Sequence, residues 1–523
     1  MVKANIYLLI LGHFTMLLIF PPVAKPCEPP AGVALLSAAL KEQGILCQVI
    51  DANIEGLLYL INSDIVPIDS WSKRALKNRE KILFDLKGNA LYENMDRYHQ
   101  RVYDLNKLLS MSVDIKRFKI TLSDYSDSKL SSVNSRDLLK SARQYKENPF
   151  YRFFEDNLRE RVQDSDSKFI GISLCYLNQA LVSFALAGWV KDNFKDKKIV
   201  MGGGLISSWM SRPDYNDPFK DLVDVTIRGE GEIPLLELLG IKDVDKKHYV
   251  PDYDFVKEDL YLAPGKVLPF RASIGCYWSK CNFCPEKAET RPYSSNRASK
   301  VLADLKKIDQ KYAPDYIHLI DNAVTPAFLK ALSKNRFGFK WYGFVRFERE
   351  FLDPGFCRDL KQSGCDMLKL GLESGDQNVL DQMNKGTNLD FASTILKNLH
   401  QAGILTFVYL LFGTSYEDEQ SAFKTLEYIK AHEAYIDYLN LAVFNLPKFS
   451  DDARDLDTQE FYHGDLSLYL NFTHPFGWER KKVKHFIDKT FKKQVSVGTG
   501  IRKNPAFFSS NHAVFFSKYK ENK

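Results

Sequence analysis

Three of the eight cysteines lie within nine residues, in the segment Gly275-Cys276-Tyr277-Trp278-Ser279-Lys280-Cys281-Asn282-Phe283-Cys284-Pro285. Cys276, Cys281 and Cys284 have the spacing C-x4-C-x2-C, directly after a predicted strand. Three thiolates on one short loop can each bind a different iron of a [4Fe–4S] cubane, which leaves the fourth iron open to another ligand. Zinc is the alternative, but a structural zinc site normally has four ligands, and neither His318 nor another nearby residue completes such a set. The spacing therefore indicates an iron–sulfur site.

The other five cysteines mostly lie in strand or helix patterns, where cysteine is usually a small buried hydrophobic residue. They are Cys27, Cys47, Cys175, Cys357 and Cys365. A tight cysteine cluster in a large α/β chain is typical of metal binding in a reducing compartment rather than of a disulfide framework. We therefore expect a cytoplasmic protein.

The cysteine segment resembles the radical S-adenosylmethionine (SAM) superfamily, and in particular its members with an N-terminal cobalamin-binding domain. The family spacing is usually C-x3-C-x2-C, so this loop carries one extra residue. The residues around the cysteines, Gly-Cys-Tyr-Trp followed by Cys-x-Phe-Cys-Pro, nevertheless fit the family. The resemblance implies that Cys276, Cys281 and Cys284 hold a [4Fe–4S] cluster and that SAM chelates the fourth iron. It also implies that Phe283 packs near the adenine, for which ordinary loop packing is the alternative.

The resemblance extends to the ends of later predicted strands, at Asp321, Arg346, Glu373, Ser374 and Gly413. It implies that Asp321 and Arg346 line the SAM site, that Glu373 and Ser374 contact the ribose or the methionyl end, and that Gly413 lies beside the adenine. Other interpretations exist for two of them. Ser374, like Asp376 after it, has the residue type of a helix N-cap, and Gly413 is also typical of a bare turn.

The N-terminal part resembles cobalamin-binding domains less completely. Ser173-Leu-Cys175 is separated by 26 residues from Gly202-Gly203, as in the family's S-x-L and G-G elements, although Cys175 replaces the leucine. Glycine at such positions lets the backbone approach a large ligand. The element D-x-H-x-x-G is absent, so a bound cobalamin would lack a histidine ligand from this domain. A purely structural Rossmann-like domain is the alternative.

Alternating apolar strands and helices must position these residues, so the fold class is α/β. We predict a Rossmann-like domain at 1–240, with strands near 16–20, 45–50, 169–174, 198–201 and 223–227 and helices near 34–43 and 178–194. A helical insertion occupies about 56–165. A linker at 241–266 leads to a partial (β/α)6 barrel of the TIM type at 267–450, with active groups at the carboxyl ends of its strands. Its strands are predicted near 270–274, 316–319, 339–345, 367–372, 405–411 and 438–443, and a small C-terminal region covers 451–523.

The composition and net charge of the chain exclude few classes of protein. The 523 residues carry 72 basic and 66 acidic side chains, a net charge of +6, which indicates neither nucleic acid nor membrane as a partner. The apolar segment Ile6–Phe20 imitates a signal peptide, but it is too short and interrupted to span a bilayer. We interpret its second half as a buried strand, which leaves open whether Met1 or Met16 is the true start.

Together these features predict a radical SAM enzyme, in its commonest version a cobalamin-dependent methyltransferase. Radical rearrangement or cyclisation without methyl transfer is one alternative, and a non-catalytic cluster-binding or cobalamin-binding sensor is another. The expected partners are an electron donor such as flavodoxin or ferredoxin and a substrate that is a small molecule, a lipid or a peptide. The sequence does not choose among these substrates.

Overall fold

The computed structural model describes residues 15–242, 244, 248–495 and 510–516. In this part of the chain the residues form two compact units. The first contains the residues up to Leu83, Tyr103–Leu262 and His463–Leu466, and the second contains Phe84–Val102, Ala263–Tyr462 and the described residues from Ser467 onward. The choice between Met1 and Met16 as the start concerns residues 1–14, which lie outside the described part.

The first unit is built on a parallel sheet, as the strand pattern predicts. Its strands are β1 (Thr15–Phe20), β2 (Leu46–Asp51), β3 (Phe118–Ile120), β4 (Tyr125–Asp127), β5 (Phe169–Ser173), β6 (Lys198–Gly202) and β7 (Val225–Thr226). The sheet has the order β2-β1-β5-β6-β7 with parallel neighbours throughout, and β3 and β4 form a separate antiparallel pair. The strand order reverses between β1 and β5, and ligands of doubly wound sheets bind at the carboxyl ends of strands beside such a reversal.

Helices connect these strands and also occupy much of the predicted insertion. Up to Leu262, those of seven or more residues are Ala31–Glu42, Ala52–Asn62, Ser70–Lys77, Arg79–Leu86, Met95–Met111, Ser135–Arg143, Ala180–Asn193, Gly204–Met210 and Glu232–Leu238. Helix Ala180–Asn193 is buried along its whole length from Ala180 to Val190, because it is apolar on every side. It packs so closely on helix Ser135–Arg143 that a Cβ at Gly188 would overlap the Ala142 carbonyl.

The second unit contains the longer sheet. Its strands are β8 (Val267–Phe270), β9 (Ser273–Ile274), β10 (Ser294–Ser295), β11 (Tyr316–Leu319), β12 (Lys340–Val345), β13 (Cys365–Glu373), β14 (Leu405–Phe412), β15 (Tyr438–Val443), β16 (Leu446–Pro447), β17 (Thr458–Glu460) and β18 (Tyr469–Phe472). Six of them form a parallel sheet in the order β8-β11-β12-β13-β14-β15. Sequential parallel strands joined by helices are the order of a partial (β/α)6 barrel, so the predicted α/β fold class is confirmed.

One predicted strand is wrong in its position. We expected the first strand of this sheet at 270–274, but β8 ends at Phe270, and Ser273–Ile274 pairs antiparallel with Ser294–Ser295 instead. The strand contains Pro269, which cannot donate a hydrogen bond to a neighbour. Since β8 is an edge strand, paired only with β11, it tolerates this proline.

Helices follow most strands of the second unit. After Leu262 the described part contains Pro285–Ala288, Ala298–Tyr312, Pro326–Ser333, Pro354–Gln362, Gln377–Gln382, Leu389–Gln401, Glu419–Ala431, Asp452–Asp455, Arg480–Phe486, Ile487–Phe491, Lys492–Gln494 and Ser510–Ala513. Across the described residues of both units, no helix combines the length and the apolar character that crossing a bilayer requires.

Gly188→Ala should destabilise the first unit, because the added methyl group has to push apart two helices in backbone contact. Overpacking of this kind costs about 1–3 kcal/mol, which corresponds to a fall in Tm of about 3–8 °C. Gly32→Ala is the matched control in helix Ala31–Glu42, where the nearest atom would lie 4.0 Å from the new Cβ. Differential scanning calorimetry compares the two, and equal Tm values for both variants would contradict the packing.

Candidate functional site

The three clustered cysteines lie on the loop between β9 and helix Pro285–Ala288. All three are free thiols; Cys281 is buried, and Cys276 and Cys284 are half-buried. Burial raises the pKa of Cys284 to about 11, and the neighbouring Cys281 adds to the rise. Within the described residues, no three Cys, His, Asp or Glu side chains converge as a metal-binding group. The loop thus supplies three soft donors close enough to influence one another, but the structure does not gather them around one point.

The loop is held by a turn that follows helix Gln377–Gln382. The Asn282 amide donates to the Met383 carbonyl (3.0 Å), and the Trp278 indole N–H donates to the Asn384 carbonyl (2.9 Å). At Gly386, which has φ +69°, the turn packs directly against Trp278. A Cβ at this glycine would overlap the indole ring. The cysteine loop therefore takes its position from contacts with residues 383–386, a segment that we call the anchor turn.

Two cations of this region act on the cysteine loop. The Arg346 guanidinium lies 4.2 Å from the centre of the Trp278 ring and donates to the Lys385 carbonyl. The Lys385 ammonium lies 2.8 Å from Glu373 Oε1 and 5.6 Å from the centre of the Phe283 ring. Burial raises the pKa of the Cys281 thiol, while Lys385 and Arg346 both act to lower it.

The structure therefore brings together Cys281, Phe283, Arg346 and Glu373. Glu373 has φ +69°, a left-handed conformation that is rare for a residue other than glycine, asparagine or aspartate and is typical of functional sites. Sequence reasoning missed Lys385. The signal was present in Asn384-Lys385-Gly386, where asparagine and glycine with positive φ mark a turn.

Two predicted contact residues are instead occupied by bonds within the protein. Asp321 is buried and accepts hydrogen bonds from the Ala272 amide (3.0 Å) and the Ser273 hydroxyl (2.5 Å), so it braces the segment between β8 and the cysteine loop. Ser374 is fully buried, and its hydroxyl accepts from the Asp376 amide (3.1 Å) and lies 3.2 Å from Thr425 Oγ1. Both side chains are buried at strand ends and hydrogen-bonded within the protein.

Gly413 lies at the end of β14 with φ +78°, and its amide donates to Glu417 Oε2 (2.5 Å). Glu417 is 1% exposed, so burial raises the pKa of its carboxyl to about 8. The same oxygen accepts from the Trp478 indole N–H (3.1 Å), while Oε1 has no hydrogen-bond partner. Gly413 also lines a small cleft together with His474, Arg480 and several aromatic residues.

The first unit has its own cradle at the carboxyl ends of β5 and β6. Ser173 and Gly202 are register partners on these strands, and Ser173 Oγ lies 3.5 Å from Cys175 Sγ. Gly203 has φ +108°, and a Cβ there would lie 2.5 Å from the Leu174 carbonyl oxygen. Gly32, at the start of helix Ala31–Glu42, is the glycine opposite Ser173 Oγ. The structure thus assembles Ser173, Gly202 and Gly203 at one edge that has few side chains.

Comparisons with known proteins agree with this geometry. Residues 272–429 match the model of the radical SAM superfamily. The anaerobic magnesium-protoporphyrin IX monomethyl ester cyclase of Rubrivivax gelatinosus is 22% identical over 367 residues, which cover 61% of this chain and 64% of that protein. The bacteriochlorophyllide d C-12(1)-methyltransferase of Chlorobaculum tepidum is 23% identical over 48% of this chain and 57% of its own length. The matches thus span less than two thirds of either relative.

A solved structure extends the likeness to the fold of most of the chain. The radical SAM methyltransferase TsrM from Kitasatospora setae, solved with cobalamin and a [4Fe–4S] cluster bound, superposes with a TM-score of 0.51 at 12% identity. The superposition covers 85% of this chain and 78% of that one, so the two proteins share an α/β fold. The cysteine loop, the parallel sheet below it and the matched residues lead to one conclusion: residues 272–429 form a radical SAM domain.

Proposed function

We propose that the chain is a radical SAM enzyme in which Cys276, Cys281 and Cys284 bind three irons of a [4Fe–4S] cluster. The observation that carries this proposal is the C-x4-C-x2-C loop, anchored at the carboxyl end of a parallel sheet within the residues that match the superfamily. When bound, the cluster and SAM supply a 5′-deoxyadenosyl radical by one-electron cleavage of the S–C5′ bond. The chain itself has to orient these groups and keep water away from them.

The described contacts suggest which residues do this. Glu373 and Lys385 form a largely buried ion pair beside Cys281, and we assign the pair to the charged methionyl end of SAM. Phe283 and Arg346 border the same space. We assign Asp321 and Ser374 to holding the loops in place, because their polar atoms are buried and hydrogen-bonded within the protein. Gly413, whose turn is fixed by Glu417, is the proposed contact for the adenine.

We further propose that the first unit binds cobalamin at Ser173, Gly202 and Gly203. Support comes from the shape of the cradle: it lies beside the strand-order reversal, and glycines leave its rim without side chains. The fold shared with a cobalamin-containing structure is consistent with this. Cobalamin, when bound, supplies a methyl carrier. The proposed reaction is therefore methyl transfer to a substrate that is still unidentified.

A second candidate is radical cyclisation or rearrangement without methyl transfer, which the likeness to a cyclase favours. SAM labelled in its methyl group separates the two, because only a methyltransferase places the label in the product. In either case the protein needs a one-electron donor, for which a flavodoxin or ferredoxin is suited. The eight free thiols fit the reducing environment of the cytoplasm, where we propose that the protein acts.

Cys281→Ala should abolish both the cluster and the formation of 5′-deoxyadenosine, because two thiols cannot hold the cubane at three corners. The measurement is iron content and 5′-deoxyadenosine after anaerobic reconstitution and reduction with dithionite. Cys357→Ala is the control, since Cys357 is buried in helix Pro354–Gln362, outside the cysteine loop. Normal iron and turnover in Cys281→Ala would contradict the assignment. One zinc per wild-type chain would show a zinc module, and a cluster without SAM cleavage would show a sensor.

Gly386→Ala should lower cluster incorporation without removing a ligand, because the methyl group displaces Trp278 and with it the cysteine loop. Gly403→Ala is the matched control: Gly403 also has positive φ (+73°), but only a lysine tip lies within 4 Å of its Cβ position. Iron per chain is measured together with hydrogen exchange of residues 276–284. The iron content should fall for Gly386→Ala and not for Gly403→Ala. Full occupancy in Gly386→Ala would show that the anchor turn does not set the loop.

Protein produced with the vitamin supplied should co-purify with a corrinoid that is visible in its optical spectrum. Gly202→Leu should lower that occupancy several-fold, since it places a bulky side chain at the strand end proposed to hold the ligand. Gly202→Ala, whose Cβ would meet only Ile227 atoms at 3.5 Å or more, should retain it. Equal corrinoid in the leucine variant would place the ligand elsewhere, and corrinoid-free wild-type protein would favour the purely structural domain.

A further inference from the structure

Residues 413–417, which we call the glycine turn, follow the end of β14 and are closed by the side chain of Glu417. The Gly413 amide and the Trp478 indole N–H both donate to Glu417 Oε2. The amide of Glu417 itself donates to the Thr414 carbonyl (3.0 Å). One carboxyl oxygen therefore fixes the start of the glycine turn and joins it to a tryptophan of the C-terminal region.

The carboxyl of Glu417 is buried without a counter-ion. The residue is 1% exposed. In the part of the chain that the structure describes, it forms no ion pair, and its Oε1 has no hydrogen-bond partner. The cations on the helices beside the glycine turn are bonded to other groups: Lys424 to Asp376 (2.9 Å), Arg480 to the Phe444 carbonyl (2.8 Å) and Lys482 to the Gly477 carbonyl (2.9 Å).

His474, which contacts the same turn, adds no positive charge. Its Nε2 lies 2.9 Å from the Thr414 carbonyl oxygen, which can only accept, so Nε2 carries a hydrogen. The Phe476 amide donates to Nδ1 (3.2 Å), so this second nitrogen carries none. The two bonds fix a neutral imidazole, and burial lowers the pKa of His474 in the same sense. The carboxylate of Glu479 accepts from the His474 amide (3.0 Å).

The charges that act on Glu417 are negative. Burial raises the pKa of its carboxyl to about 8, the charges of Asp418 and Asp376 add to the rise, and the two hydrogen bonds at Oε2 offset it only in part. Asp418 is itself bonded to the Ser421 amide (2.7 Å) at the start of helix Glu419–Ala431. Since a buried carboxylate without a counter-ion is costly, Glu417 retains its proton at neutral pH.

We propose that Glu417 acts in its neutral form, as a positioning residue that holds the glycine turn in the conformation that binds SAM. A neutral acid accepts both hydrogen bonds at Oε2 without burying a charge. Once the proton is lost, the carboxylate has to be hydrated, and the turn that carries Gly413 has to open. The inference rests on the proposed function in one respect: it takes Gly413 to be the contact for the adenine of SAM. Affinity for SAM should therefore fall in mildly alkaline solution.

Glu417→Gln tests this, because glutamine has the shape of the neutral acid and no proton to lose. Anaerobically reconstituted full-length protein, without reductant, is titrated calorimetrically with SAM at pH 7.0 and pH 9.0. The neutral fraction of a group with a pKa of about 8 falls about tenfold between these values, so the Kd of the wild type should rise about tenfold more than that of Glu417→Gln. The titration of SAM itself affects both proteins equally. The same pH dependence in both would overturn the proposal.

Glu419→Gln is the matched control. Glu419 lies two residues further along the chain and is exposed in the first turn of helix Glu419–Ala431. This variant should keep the pH dependence of the wild type, and a loss of that dependence would show that Glu417 is not its source. A Glu417→Gln protein that does not fold, as judged by circular dichroism, would also contradict the proposal, because glutamine imitates the form assigned to the native protein.

Thermal unfolding separates this inference from the proposed function, because it requires no SAM. Glu417 loses its proton near the ordinary pKa of 4.5 in the unfolded chain and at about 8 in the folded one. The stability that the proton contributes is thus present at low pH and is lost as the pH rises to about 8. The Tm of the wild type minus that of Glu417→Gln should fall between about pH 5.5 and 8 and then level off.

The two possible failures give different results. A wild-type protein that cleaves SAM but shows no such fall in Tm would overturn the inference and leave the radical function standing. A wild-type protein that shows the fall but neither binds nor cleaves SAM would overturn the proposed function, and the neutral glutamate would then serve the fold alone.

Discussion

The position of the cysteine loop depends on its contact with the anchor turn, residues 383–386. A loop without regular structure loses conformational entropy when it is fixed, and ligand positions have to be set closely for a cluster to bind. Here one backbone bond from Asn282, one indole bond from Trp278 and the absence of a side chain at Gly386 supply the constraint. The extra residue of the C-x4-C spacing lies in the part of the cysteine loop that contains Ser279 with φ +46°.

The anchor turn also contributes Lys385, the positive charge that pairs with the carboxylate of Glu373. Lys385 pairs with Glu373 at the end of β13, and removing either partner would leave the other as an uncompensated, largely buried charge. Lys385 and Arg346 favour the thiolate of Cys281, yet burial still raises the pKa of that thiol above its usual value. The two cations thus offset the effect of burial on this pKa only in part. Under the proposed cluster assignment, iron binding would release the thiol protons, so loading of the loop would depend on pH.

Much of this architecture follows from patterns that are local in sequence. Apolar strands ending in glycine or acidic residues predicted both parallel sheets, and cysteine spacing predicted the loop. The predicted first strand of the second unit was misplaced: β8 ends at Phe270, and its Pro269 is tolerated because β8 is an edge strand. Trp278 and the actual bonds of Asp321 were not predictable in this way, because each depends on a partner tens of residues distant.

The six-stranded sheet separates structural rows from the rows beside the cysteine loop. Its amino-terminal rows are filled by side chains such as Tyr342 and Met367, which are fully buried, and its upper rows open at Gly371 and Tyr409. The cysteine loop and the anchor turn lie above these rows and do not include any of their residues. Since the lower rows hold the sheet together, the chemistry proposed for this chain falls to the residues at the strand ends and on the loop.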